Sequence, residues 1–164
     1  MIDPGVFRSD PVLDADSGGT FYYQSLNGND LSVDVYQSKD GGATWGPPVA
    51  EFGGDKNWMA IDRSGGASDG HIYGIWQRFA SCCGSNVLTR SIDKGVSFQS
   101  PVPVVVSPTF GMLAVGPSAE LYATGVDGTT TQDLTHFVVS KSTNASNPAR
   151  RRPSQGDASS SAAT

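Results

Sequence analysis

The sequence predicts an all-β fold assembled from about three repeated four-stranded antiparallel units, and three observations in the 164-residue chain predict it. An eight-residue turn motif, Ser38-Lys39-Asp40-Gly41-Gly42-Ala43-Thr44-Trp45, returns 53 positions later as Ser91-Ile92-Asp93-Lys94-Gly95-Val96-Ser97-Phe98. A strand-turn-strand pattern precedes each copy and occurs a third time. Glycine, proline, serine and aspartate interrupt every apolar run before it completes three helical turns, so no amphipathic helix is expected.

The first hairpin reads Pro11-Val12-Leu13-Asp14-Ala15-Asp16, turns through Ser17-Gly18-Gly19 and returns as Thr20-Phe21-Tyr22-Tyr23. After it, Leu31 to Tyr36 alternates apolar with mostly polar residues, the period of a half-buried strand. The second hairpin runs Trp58 to Asp62, loops over residues 63–70 and returns as His71 to Trp76. Val102, Val104 and Val106 then alternate around Pro103, which suits an edge strand or a strand start. The third hairpin runs Met112 to Gly116, turns at Pro117-Ser118-Ala119-Glu120 and returns as Leu121-Tyr122-Ala123-Thr124. A decayed third octet is expected from Ser140, 49 positions after Ser91, without the aspartate and the aromatic residue. A period near fifty fits one four-stranded propeller blade.

The octet has a physical logic of its own. Gly41 and Gly42 beside Asp40 suit a hairpin turn, because glycine reaches positive φ without steric cost and a short carboxylate accepts nearby N–H groups. Ser38 and Thr44 add local hydrogen bonds, and Trp45 offers an apolar face to anchor the loop. The second copy keeps these parts as Ser91, Asp93, Gly95, Ser97 and Phe98. Both aspartates are therefore expected to hold turns rather than to perform chemistry.

The octets resemble the Asp-box of the bacterial neuraminidase repeat family, a group of β-propellers that includes the sialidases and many non-catalytic relatives. The resemblance implies a propeller segment of about three blades, near residues 8–50, 51–106 and 107–148, within residues 1–148. Three blades do not close a ring, so the chain is expected to be part of a six- or seven-bladed propeller or to be completed by a homo-oligomer. Sialidases of this fold grip a carboxylate with three arginines, the first in a Phe/Tyr-Arg-Ile-Pro motif. Phe7-Arg8-Ser9-Asp10-Pro11 is similar, with Ser9 and Asp10 in the Ile-Pro places, and makes Arg8 the weak catalytic candidate. The other catalytic groups come largely from later blades in that family. The expected function is accordingly a non-catalytic glycan- or protein-binding module. A truncated sialidase-type glycoside hydrolase and a structural or adhesive repeat are the alternatives. Asp55-Lys56-Asn57-Trp58 resembles Asp-Lys-Pro-Trp segments of the repeat family, so Asp55 and Lys56 join Arg8 as ligand-binding candidates, with an inter-blade salt bridge as the other reading.

Asp14, Asp16, Asp62 and Asp69 lie at hairpin ends and are expected to cap turns. No metal site and no cofactor is expected, since calcium needs six or more converging oxygens and His71 and His136 lack ligand spacing. Cys82 and Cys83 are adjacent and are expected to form a vicinal disulfide at a loop apex in an oxidising compartment, extracellular or at the cell surface. Met1-Ile2-Asp3-Pro4 has neither the basic nor the apolar region of a signal peptide. The net charge of −5 speaks against nucleic acid, and no apolar run is long enough for membrane insertion. Residues 149–164, three arginines followed by small and polar residues, are expected to form a disordered polar tail.

Overall fold

The computed structural model describes residues 2–128, 135–146 and 158–163. Among them there is no helix, and twelve strands form three antiparallel four-stranded sheets, each in sequential order. The first sheet contains β1 (Arg8–Ala15), β2 (Phe21–Asn27), β3 (Val33–Ser38) and β4 (Val49–Phe52). The second contains β5 (Trp58–Ile61), β6 (Ile72–Ile75), β7 (Asn86–Ser91) and β8 (Val102–Pro103). The third contains β9 (Thr109–Val115), β10 (Leu121–Val126), β11 (Phe137–Ser142) and β12 (Ala158–Ala163).

One register rule relates the sheets. Ala15, Ile61 and Val115 close the first strands and pair with Phe21, Ile72 and Leu121. Those residues pair in turn with Ser38, Ser91 and Ser142 at the ends of the third strands. Counted from these ends, a position in one sheet has a counterpart in the other two, although the first and third sheets have irregular pairing near the starts of β1 and β9.

The core lies between sheets. Val12, Tyr22 and Val35 of the first sheet pack against Met59, Ile61 and Ile72 of the second. Ala60, Tyr73, Ile75 and Leu88, on the opposite face of the second sheet, pack against Leu113, Leu121 and Ala123 of the third. Strand alternation sends successive side chains to opposite faces, which gives the middle sheet an apolar neighbour on each side. Trp58 touches both clusters.

Two expectations shift. β8 stops at Pro103, and the chain turns away through Val106 and Ser107, both at positive φ. Within the expected tail, Ala158–Ala163 pairs residue for residue with Ser142–Phe137 of β11. An open sheet edge offers backbone donors and acceptors that an added strand satisfies. Residues 149–157 and Thr164, the rest of the expected tail, lie outside the described residues.

Candidate functional site

The two complete octets fold identically. Asp40 Oδ1 accepts from the Thr44 amide at 2.9 Å and from Ser38 Oγ at 2.8 Å, while Ser38 Oγ accepts from the Gly42 amide at 2.9 Å. In the second copy Asp93 Oδ1 accepts from the Ser97 amide at 2.9 Å and from Ser91 Oγ at 2.7 Å, and Ser91 Oγ accepts from the Gly95 amide at 2.8 Å. Asp40 is held to about 2, below the usual carboxylate value, first by the Thr44 hydroxyl and then by the Thr44 amide. Trp45 packs edge-on against Tyr23 with ring centroids 6.0 Å apart. The third copy begins at Ser142 rather than Ser140: Ser142 Oγ bonds Asn144 Oδ1 at 3.0 Å and accepts from the Asn144 amide at 3.4 Å. Asparagine keeps a side-chain oxygen in the aspartate's place, so the Ser-x-Asp geometry persists as Ser-x-Asn.

A cleft forms at the opposite end of the sheets. Counting back five positions from Ala15, Ile61 and Val115 leads to Asp10, Lys56 and Phe110, and all three have left-handed backbones, with φ of 46°, 57° and 54°. Such conformations are costly for residues with side chains and persist where the surroundings enforce them. All three line one cleft of about 340 Å³, together with Val12, Trp58 and Met112. Its walls are aromatic and aliphatic, and its polar groups are few. Lys56 Nζ stands 3.8 Å from Asp10 and 3.9 Å from Asp55, and the Lys56 amide donates to Asp10 Oδ2 at 3.0 Å. At 51% side-chain exposure Lys56 keeps its ammonium available to another acceptor.

Behind the cleft runs a buried polar chain. Asn57 Nδ2 donates to the Asp10 carbonyl at 3.2 Å and to Gln24 Oε1 at 2.8 Å, and Gln24 Nε2 donates to Glu51 Oε2 at 2.7 Å. Glu51 is fully buried, and desolvation pushes its carboxyl up to about 8. These links tie the cleft's backbone to the interface of the first two sheets.

The ligand candidates separate. Asp55 and Lys56 sit at the cleft, with Asp55 accepting from the Gln77 side-chain amide. Arg8 lies on the outer face of the first sheet, paired with Asp3 at 2.5 Å and Asp34 at 2.7 Å, and stacks over Tyr36 at 5.6 Å. Tyr36 donates to Asp3 at 3.1 Å, and burial pushes its hydroxyl up to about 12. A cavity of about 490 Å³ remains between residues 2–6 and these rings. Asp3 and Asp34 take Nε and Nη2 of Arg8, while its Nη1 is buried without a hydrogen-bond partner.

Three of the four hairpin aspartates cap turns, and Asp14 instead pairs across to Arg63. Asp16 accepts from the Gly18 and Thr20 amides, Asp62 from the Ser64 amide and Ser68 Oγ, and Asp69 from the Gly65 amide and Ser17 Oγ. Asp14 accepts from the Ala15 amide and pairs with Arg63. Among the described residues no group of three or more His, Cys, Asp or Glu could hold a metal ion. Cys82 and Cys83 are bridged, in the loop joining β6 and β7. That loop docks on the segment joining β4 to β5, which leads to the cleft: Cys82 N donates to the Gly53 carbonyl at 3.1 Å and Asp55 N to the Ala80 carbonyl at 2.8 Å.

Sequence reasoning missed Phe110, Met112 and the Asn57–Gln24–Glu51 chain. Superposing the three hairpins on their turn ends would have placed Asp10, Lys56 and Phe110 in one column, although nothing in their chemistry marks the shared backbone. The chain matches no protein-family model and no curated protein.

Proposed function

We propose that this protein is an Asp-box β-propeller segment, related to the sialidase-like repeat proteins, that binds glycan without cleaving it through the cleft at the starts of β1, β5 and β9. The observation that carries this reading is the convergence of three left-handed residues, Asp10, Lys56 and Phe110, on one aromatic-walled cleft. Sugars present apolar C–H faces and many hydroxyls, a combination met by Trp58 and Phe110 beside the Asp10–Lys56 pair. Three sequential meanders, with β5 touching both β1 and β9, support the propeller arrangement. The occupied state of Arg8 supports binding over sialidase chemistry. A closed Cys82–Cys83 bridge supports an oxidising, extracellular location.

A glycan array probed with the protein, followed by calorimetry on any hit, tests the reading. Phe110→Ala and Lys56→Ala are each expected to weaken binding at least about tenfold, or about 1.4 kcal/mol. A blank array from folded protein, or affinity indifferent to both substitutions, overturns it. Turnover of a fluorogenic sialoside that disappears in Arg8→Ala would overturn the non-catalytic part.

A further inference from the structure

The two internal sheet interfaces share one pattern, and the described residues present each half of that pattern once more, uncovered. In the first interface, Tyr22 Oη and Gln37 Nε2 of the first sheet donate to the Lys94 carbonyl in the second sheet's octet, at 3.3 and 3.1 Å. Gly95 of that octet lies against Tyr22 and Gln37, where its missing side chain leaves them room. In the second interface, Arg90, the register counterpart of Gln37, donates to the carbonyl of Ala145, the counterpart of Lys94. Tyr73 takes the place of Tyr22 and is buried there with its hydroxyl unbonded, so the side chain at the Gln37 position makes the bond that both interfaces share.

The third sheet carries Tyr122 and Lys141 at the counterpart positions, and among the described residues no further sheet covers them. Lys141 instead folds back to Glu120 at 3.6 Å and over the Tyr122 ring at 5.3 Å. Burial follows the same division. Val35 and Leu88 are 0% and 7% exposed, whereas their counterpart Val139 is 38% exposed. On the receiving side, Met59 and Leu113 are 2% and 6% exposed, whereas their counterpart Leu13 in the first sheet is 60% exposed. Gly41 and Gly42, counterparts of Lys94 and Gly95, meet no other sheet.

We propose that the outer face of the third sheet docks on the outer face of the first sheet of a second copy of this chain. Lys141 then reaches the Gly41 carbonyl of that copy with Tyr122 packed beside it, and Val139 packs toward its Leu13. A second copy is the occupant because, among the described residues, one open face of each kind is present, and the two match by the packing that both internal interfaces show. Used reciprocally, the two contacts close a pair; used once each, they extend a row. The segment before β1 covers only the Tyr23 and Tyr36 end of the receiving face, through Asp3, and leaves Leu13 open. The inference stands on sheet packing and not on the ligand reading, so a monomer that binds glycan would overturn it alone.

Sedimentation of the full chain at micromolar concentration tests the proposal. The expected species has twice the mass of one chain or more. Val139→Lys and Leu13→Lys, on the two opposite end faces, are each expected to weaken association at least about tenfold, because docking would bury an unpaired ammonium. Both positions are open in the single chain, and circular dichroism checks that each variant stays folded. Phe79→Lys, an exposed apolar residue on neither face, is expected to leave association unchanged. A monomeric wild type overturns the proposal, and so does association indifferent to either end-face substitution.

Discussion

The carboxyl of Glu51 in β4 rests against the backbone of Gly74 in β6, in the space that a β-carbon on Gly74 would fill. Both residues are buried, and they belong to adjacent sheets. The absence of a side chain at Gly74 is what lets a carboxylic acid enter the interface between the two sheets and reach Gln24.

Gly74→Ala is expected to destabilise the protein by about 1–3 kcal/mol, the usual cost of overpacking a tight interior. Urea denaturation measures it. The double variant Gly74→Ala with Glu51→Ala should recover part of the loss relative to the sum of the single changes, since the overlapping atoms are gone. Strict additivity would show that the two residues do not compete for the same space.

Glu51 also makes stability depend on pH. Its ordinary value is 4.5, and in the folded chain burial raises it to about 8. Between those values the unfolded chain releases the proton while the folded chain keeps it, so stability falls as pH rises from about 4.5 toward 8 and levels off beyond. Glu51→Gln retains an acceptor for Gln24 and cannot ionise. Its unfolding free energy should lose this downward slope and exceed that of the wild type near pH 8, by an amount on the order of a few kcal/mol at most. Denaturant curves across the range decide the matter, and parallel pH profiles for the two proteins would count against it.

The octet aspartates act with the opposite sign. Asp40 is held at about 2, below its ordinary 3.8, so its contribution is present at neutral pH and is lost as pH falls toward 2. Asp40→Asn should therefore lower the melting temperature at pH 7 and converge with the wild type in acid. Asp93→Ala removes acceptors for the Ser97 amide and the Ser91 and Ser97 hydroxyls, and about 1 kcal/mol is expected once solvent screening is allowed for. Calorimetry at two pH values reads both effects.

Local grammar was legible in the amino-acid order. The hairpins around Ser17, the 63–70 loop and Ser118 fall where glycine, proline and aspartate punctuate alternating apolar runs, and the octets fold as their residue types require. The third octet was displaced by two residues because it has lost its aspartate, and only strand register identifies Ser142 as the partner of Leu121. Arg8 and Lys56 were grouped by analogy, yet they lie apart, because Asp3 and Asp34 draw the guanidinium to the outer face of the first sheet.

A hydrogen-bonded turn closes over a few residues, so Ser38, Asp40, Gly42 and Thr44 carry their own instructions wherever the chain goes. The cleft does not work that way. Asp10, Lys56 and Phe110 share no side-chain chemistry, and what unites them is a left-handed backbone five residues before the last residue of each sheet's first strand. Glu51 likewise reads as an ordinary strand-edge acid until the second sheet buries it against Gly74. Burial and convergence are properties of residues distant in sequence brought within a few ångströms. Only the packing of the sheets decides them.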